Sequence, residues 1–267
     1  MSLGRTFMKN LLLIISLFFS TLAFSAPKSE LWSYWNQSNE SNSSTISHAT
    51  WQQFLDNYLV VEGNNHLIRY QAVTSNEHSQ LKQYIGQLAK VDPRQFSQAE
   101  QYAYWVNLYN AITVELILDA YPVKSITKLG GLFSFGPWGD EVVTINGKDL
   151  TLNDIEHRIL RPIWQDPRTH YAVNCASLGC PNLQTQAFTA ENIEVLLEQA
   201  AREFVNSDKG VLAQKNKLQL SSIYDWFIAD FGTQEQLIEH LNQYRTQPLS
   251  NVKNIDYEYD WALNQAK

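Results

Sequence analysis

The run Thr169 to Pro181, Thr-His-Tyr-Ala-Val-Asn-Cys-Ala-Ser-Leu-Gly-Cys-Pro, holds both cysteines of the chain and one of its six histidines. An ionised thiol is a nucleophile and a metal ligand, and imidazole is the side chain that moves protons near neutral pH. We take this run as the candidate site. Cys175 is the candidate nucleophile and His170 and His157 the candidate bases, with Glu156 beside His157 as a further catalytic candidate. Cys180, Asn174, Asn107 and Asn110 are the candidate binding groups, the three carboxamides being suited to polarise a carbonyl under attack.

Three chemistries fit two cysteines separated by four residues. In an oxidising compartment they make a disulfide, which would shape the loop more than it stabilises the chain, at roughly 2 kcal/mol for so short a closure. In the reduced form Cys175 acts as a thiol nucleophile with a histidine as base. A metal held by His170, Cys175 and Cys180 is the third reading, although the spacing matches no compact zinc pattern and no fourth ligand presents itself. We expect neither a metal nor a cofactor. A disulfide would still leave His and Glu free to act beside it.

Positioning these groups depends on the backbone before the loop. Tyr171 and Val173 favour a strand over His170 to Asn174, and Ala-Ser-Leu-Gly-Cys-Pro cannot continue one. On a strand His170 and Cys175 have opposite parity and stand up to about 16 Å apart, so a base for Cys175 requires the loop to fold back.

The chain has 267 residues and opens with a basic start, an apolar run Leu11 to Phe19 and small residues to Ala26. That is the pattern of a secretory signal peptide, too short to span a membrane, with cleavage expected after Ser25 in Ala23-Phe24-Ser25. Met8 is an alternative start. Cleavage removes Arg5 and Lys9 and takes the net charge from −7 to −9. An acidic chain without a basic tract does not suit phosphate backbones, so nucleic acid is excluded as a partner and a small-molecule or peptide ligand is expected. We expect a periplasmic or secreted protein with no stable membrane span after cleavage. Residues 26–50 read as a flexible lead-in, Ser/Asn-rich from Asn36 to Ser47, and 51–267 as one domain.

Within that domain, spacing predicts helices over Trp51 to Leu59 and Ser79 to Lys90, and a strand over His66 to Val73. The longest helix follows Ser97-x-x-Glu100, a capping box, and runs to Tyr121 before Pro122. Its apolar residues wrap the axis, so it should be the buried central helix. Asn107 and Asn110 lie on it, either bonded to neighbouring backbone or lining the cavity of Cys175. Gly130-Gly131, Gly136-Pro137 and Gly139, with Phe133, Phe135 and Trp138, form an aromatic loop suited to a pocket wall. Glu141 to Leu152 is a hairpin turning at Asn146-Gly147. Asn153-x-x-Glu156 opens a short helix that Pro162 stops. After the Cys loop come a helix from Thr189 to Asn206, a hairpin turning at Lys215-Asn216, helices over Ser222 to Phe231 and Gln234 to Tyr244, and a closing strand from Asn254 to Trp261. Hairpins mixed with helices argue for an α+β fold: a long buried central helix packed on a largely antiparallel sheet with hairpins, further helices around it.

Several separated motifs carry a resemblance: Trp105-Val-Asn-Leu-Tyr-Asn-Ala-Ile-Thr, Asp154-Ile-Glu-His-Arg-Ile-Leu-Arg-Pro, Asp166-Pro-Arg-Thr-His-Tyr-Ala-Val-Asn-Cys-Ala-Ser-Leu-Gly-Cys-Pro, Leu220-Ser-Ser-Ile-Tyr-Asp-Trp-Phe and Tyr259-Asp-Trp-Ala-Leu-Asn. Together they resemble the domain of unknown function 547 family over about residues 97–264. The resemblance implies a single domain seen in exported bacterial proteins and brings no activity with it. A weaker likeness is to the papain and transglutaminase architecture, which puts its nucleophilic cysteine at the start of a central helix; this chain has none between Ser97 and Asn107. The expected function is a thiol-type hydrolase or acyltransferase acting on a peptide, amide or thioester. The alternative is a non-catalytic cell-envelope binding domain with a structural Cys175 to Cys180 disulfide.

Overall fold

The computed structural model describes residues 27–131, 135–214, 217–250 and 254–267. The leader with its cleavage site, Phe133 of the aromatic loop and the Lys215-Asn216 turn lie outside the described residues.

The longest helix, α3 (Gln98–Ala120), is the element the rest surrounds. Ser97 accepts the Glu100 N–H at 3.3 Å, but the capping box is one-sided. The Glu100 carboxylate turns instead to the Ile46 N–H at 2.5 Å, tying the preceding Ser/Asn-rich segment to the start of α3. Side chains from Tyr102 to Val114 are buried on every side of the axis, as the all-round apolar pattern requires.

Around α3 pack α2 (Ser75–Leu88), a π-helical segment (Asp154–Leu160) and α6 (Ile193–Val205). Among the described residues the strands form three small sheets. β1 (Leu59–Glu62) pairs with β2 (Asn65–Ile68), and β3 (Glu141–Ile145) with β4 (Lys148–Thr151), both antiparallel. In the third, β5 (Val211–Gln214) pairs antiparallel with β6 (Lys217–Ser221), which is joined in parallel by β7 (Ile255–Glu258). The fold is therefore α+β, but α3 does not lie on one sheet. Four-residue and five-residue strands cannot cover a 23-residue helix about 35 Å long, and helices do so instead.

Local chemistry explains the remaining boundaries. Asn146 and Gly147 both have positive φ, the turn that matches the twist of the β3–β4 hairpin. α1 (Ala49–Tyr58) forms where spacing predicted it, whereas α2 starts earlier than expected because Thr74 and Glu77 make a reciprocal capping box. The strand expected through Val73 stops at Ile68 and is followed by a 3₁₀ turn. A second apolar cluster joins α6 to the third sheet and to α7 (Ile223–Trp226), α8 (Ile228–Phe231) and α9 (Gln234–Tyr244), through Phe204, Leu220, Tyr224 and Leu241.

The flexible lead-in over 26–50 is corrected in its described part. Trp35 is buried and meets Trp105 edge-on at 5.2 Å, and the Glu30 and Trp32 N–H groups donate to the His157 and Arg158 carbonyls at 3.0 and 2.9 Å. The indole outweighs the polar composition around it, since a buried aromatic side chain is a large hydrophobic contribution. Among the described residues no helix is long and apolar enough to cross a membrane.

Candidate functional site

The expected strand over His170 to Asn174 is in fact a single helical turn, α5 (Thr169–Ala172). Asp166-Pro167 sets it: the Asp166 carboxylate accepts the Arg168 N–H at 2.8 Å, and proline's fixed φ suits a first helical turn. Only at Val173 does the backbone extend, entering a loop that doubles back on itself. Ala176 sits there at φ 54°, a left-handed conformation costly for a residue with a Cβ, held by the Asn174 side chain, which accepts the Ala176 N–H at 2.8 Å.

The C-terminal segment clamps this loop. Leu178 and Gly179 donate their N–H groups to Ala262 and Asp260 carbonyls, each at 2.8 Å, and Asn264 donates to Ala176 at 3.2 Å. At Gly179 a Cβ would stand 2.7 Å from the Asp260 nitrogen, so the close approach requires glycine. The clamp delivers Tyr259, whose hydroxyl lies 2.8 Å from Cys175 Sγ and 2.9 Å from Ser177 Oγ.

Glu156 and His157 come from the π-helical segment. The helix begins at Leu152, two residues before the expected Asp154, because Thr151 and Asp154 cap each other reciprocally at 3.0 Å. Pro162 does not stop it. The Arg161 N–H bonds to the Glu156 carbonyl, five residues back, and the helix continues through α4 (Arg161–Trp164) to a left-handed Gln165. The wider turn carries more residues per revolution, so the neighbours Glu156 and His157 diverge less than on an α-helix and both reach one cavity.

That cavity, about 600 Å³, is lined by Cys175, Cys180, Glu156, His157 and His170, so the predicted catalytic residues do converge. The three asparagines do not join them. Asn107 bonds both ends of its amide to the Phe188 backbone, at 2.8 and 3.0 Å. Asn110 holds the Ala172 carbonyl and the Asn174 N–H, and Asn174 holds Pro181 and Ala176. Each carboxamide is spent on backbone that would otherwise be buried unpaired, so their expected role as donors to a substrate carbonyl is corrected.

Two groups of side chains line the cavity. On the sulfur side both cysteines are free, with Cys175 half-buried and its Sγ 2.9 Å from that of Cys180. Burial pushes the Cys175 thiol up, but hydrogen bonds from Cys180, Ser177 and Tyr259 outweigh it and leave the thiol more acidic than usual. Burial, and then the neighbouring Cys175 sulfur, push Cys180 strongly the other way. The pair is therefore asymmetric, one sulfur disposed to ionise and the other to keep its proton. Tyr259→Phe should raise the pH midpoint of Cys175 alkylation by about one unit, the loss of one charge-assisted hydrogen bond, measured as rate against pH; an unmoved midpoint would remove Tyr259 from this role.

On the imidazole side, His170 Nε2 donates to Asp230 Oδ2 at 2.7 Å and its Nδ1 faces Glu156 at 3.8 Å. Phe227 stacks on the imidazole at 4.4 Å between ring centroids. Arg161 Nε donates to the same Asp230 oxygen at 2.5 Å, and its Nη1 donates to His157 Nδ1 at 2.9 Å. Burial would raise the Asp230 carboxyl, but the His170 and Arg161 hydrogen bonds bring it far below the usual carboxylate range. Burial lowers His157 to about 4, and accepting the Arg161 proton donor also requires a neutral ring. Among the described residues no histidine nitrogen is hydrogen-bonded to Cys175; its polar contacts are Cys180, Ser177 and Tyr259.

The family described as "Protein of unknown function, DUF547" matches residues 93–205. Over that segment, less than half of the chain, the sequence is similar to the DUF547 family. No curated protein and no solved structure matches the chain. The DUF547 segment contains α3, the π-helical segment and the cysteine loop, but half of the site lies beyond it. Tyr259, Asp230 and Phe227 were not among the candidates from sequence, nor were Arg161 and Ser177 within the segment. Tyr259 and Phe227 stand inside motifs quoted above for the resemblance, which was the available signal. Arg161 and Ser177 stand inside quoted motifs too, but for Asp230 there was no signal, since 69 residues separate it from Arg161 in the chain.

Proposed function

We propose that this protein is an exported thiol-dependent hydrolase or acyltransferase acting on a peptide, amide or thioester. The observation that carries the reading is the half-buried Cys175 thiol, acidified by three hydrogen-bonding neighbours, on the same cavity as the His170 and Asp230 pair. The Cys175 thiolate attacks the substrate carbonyl carbon and forms a carbon–sulfur bond. The Tyr259 hydroxyl, already beside the sulfur, is placed to donate to the oxygen that gains charge. As the carbon–leaving-group bond breaks, the departing group takes a proton from the imidazole side of the cavity. Water, or an acceptor in acyl transfer, then attacks the acyl-sulfur bond, returns that proton and releases the thiolate. Ionisation of the sulfur rests on its hydrogen-bond donors rather than on a histidine in contact with it, which separates this arrangement from a papain-type pair.

The test is the reaction of purified protein with iodoacetamide and with activated thioesters, read by intact mass. Wild type should give one rapidly modified cysteine, mapped to Cys175, with a pH midpoint below the ordinary thiol value of about 8.5. Cys175→Ala should lose both the modification and any acyl adduct. The 2.9 Å approach of the two sulfurs favours one other reading, a binding domain closed by a Cys175 to Cys180 bridge. Two blocked cysteines in functional protein from an oxidising compartment would favour it and sink the thiol mechanism.

A further inference from the structure

The sulfur does not stand alone in its cavity. From it an unbroken series of rings leads outward. Tyr259, 2.8 Å from Cys175 Sγ through its hydroxyl, packs against Trp261 at 4.5 Å and Trp226 at 4.9 Å between ring centroids. Trp261 in turn meets Trp138 at 5.7 Å and Phe135 at 5.2 Å. All five rings line the cavity, and Phe135 is 45% exposed, so the wall runs from the reacting atom to solvent. Its hydrogen-bonding capacity is small. The Tyr259 hydroxyl is engaged by Cys175 and Ser177, and indole offers one donor and no acceptor.

The charged and titratable groups of the cavity, Glu156, His157 and His170, are engaged with one another and with Arg161 and Asp230. A sugar or a peptide backbone laid along the ring wall would leave its polar groups without partners, which is costly once water is excluded. A hydrocarbon chain would lose nothing and would gain the contact of five rings. The volume, about 600 Å³, lies within the range of sites that enclose a whole small ligand.

We infer that the substrate is an acyl compound with an apolar tail, its carbonyl at Cys175 and its hydrocarbon chain along the wall of Tyr259, Trp226, Trp261, Trp138 and Phe135. This rests on the thiol reading above and adds the class of acyl group. Each methylene that leaves water for such a wall should accelerate capture of the sulfur about threefold to fourfold, until the chain passes Phe135.

The test uses maleimides, because a thiolate adds to their double bond and takes one proton from water, forming a thioether that Cys180 cannot exchange. Rates of Cys175 modification with N-methyl, N-butyl and N-octyl maleimide, and with N-carboxyethyl and N-aminoethyl maleimide, are each divided by the rate with N-acetylcysteine. The expected result is a normalised octyl rate at least tenfold above methyl, with both charged reagents below methyl. Trp261→Ala should collapse the octyl-to-methyl ratio severalfold. Trp138→Ala is the second variant should the first fail to fold, with a thermal melt checking both.

A flat series on a readily modified Cys175 would overturn the apolar acyl class and leave the thiol reading standing. Preference for the aminoethyl reagent would overturn it in favour of a cationic ligand held by the rings. Absence of modification by every reagent would overturn both readings together.

Discussion

Arg161→Ala should lower the free energy of unfolding by about 3–5 kcal/mol, the usual cost of removing one partner of a buried charge pair. The guanidinium is 4% exposed and serves three acceptors: Asp230 Oδ2 at 2.5 Å, the Pro27 carbonyl at 2.9 Å and His157 Nδ1 at 2.9 Å. Its flat face also covers Phe227 at 4.7 Å, so packing is lost with the charge. Removal leaves the Asp230 carboxylate with His170 as its remaining hydrogen-bond partner and leaves a buried imidazole nitrogen without its donor. Urea titration should show the midpoint falling with the slope unchanged. Arg161→Leu combined with Asp230→Asn should recover part of the loss, because the stranded charge is then absent. A single-variant loss below about 1 kcal/mol would mean that the pair is solvated and weak.

Acidification from pH 6.5 to 4 should destabilise the protein steeply, before most carboxylates titrate. Burial lowers His48 and His157 to about 4, and His240, less buried, in the same direction to about 4. In the unfolded chain each binds a proton near pH 6.5. Between these values the unfolded state therefore holds more protons than the folded one, and stability rises with pH across the window. Above pH 6.5 the contribution is constant, and below about 4 it levels off. The shifts correspond to on the order of 3 kcal/mol each for His48 and His157, and less for His240.

The physical cause is clearest at His48. Its Nδ1 meets the Tyr84 hydroxyl at 2.6 Å, while its Nε2 is buried without a partner and would have to carry a proton there. Thermal melts every half pH unit should show the slope, and His48→Gln should flatten it by about a third. A melting temperature that stays constant from pH 6.5 to 4.5 would show that these rings are hydrated.

The elements with strong local signals were legible in the sequence. α3 follows from Ser97 and an all-round apolar pattern, and the β3–β4 hairpin from Asn146-Gly147. α9 forms over the predicted Gln234 to Tyr244, with a Thr233 cap that the structure adds. Competing local chemistry misled at the site itself. Tyr171 and Val173 suggest a strand, but Asp166-Pro167 starts a helical turn first, and the fixed φ of one proline outweighed two weak β preferences. Pro162 reads as a stop, yet the His157 and Arg158 carbonyls that its missing N–H leaves free accept from Glu30 and Trp32. The convergence of Cys175 with His157 and His170 was anticipated. The contributions of Tyr259 and Asp230 were not, because they arrive through contacts spanning 84 and 60 residues, which no local spacing records.

One outcome follows from the clamp on the cysteine loop. Tyr259 and the carbonyls of Asp260 and Ala262 stand some eighty residues after the two sulfurs in the chain. Until that later segment folds onto the loop, Cys175 has no phenol beside it and lacks one of the hydrogen bonds that acidify it. The acidified state of the thiol is therefore a property of the completed fold and not of the cysteine loop by itself.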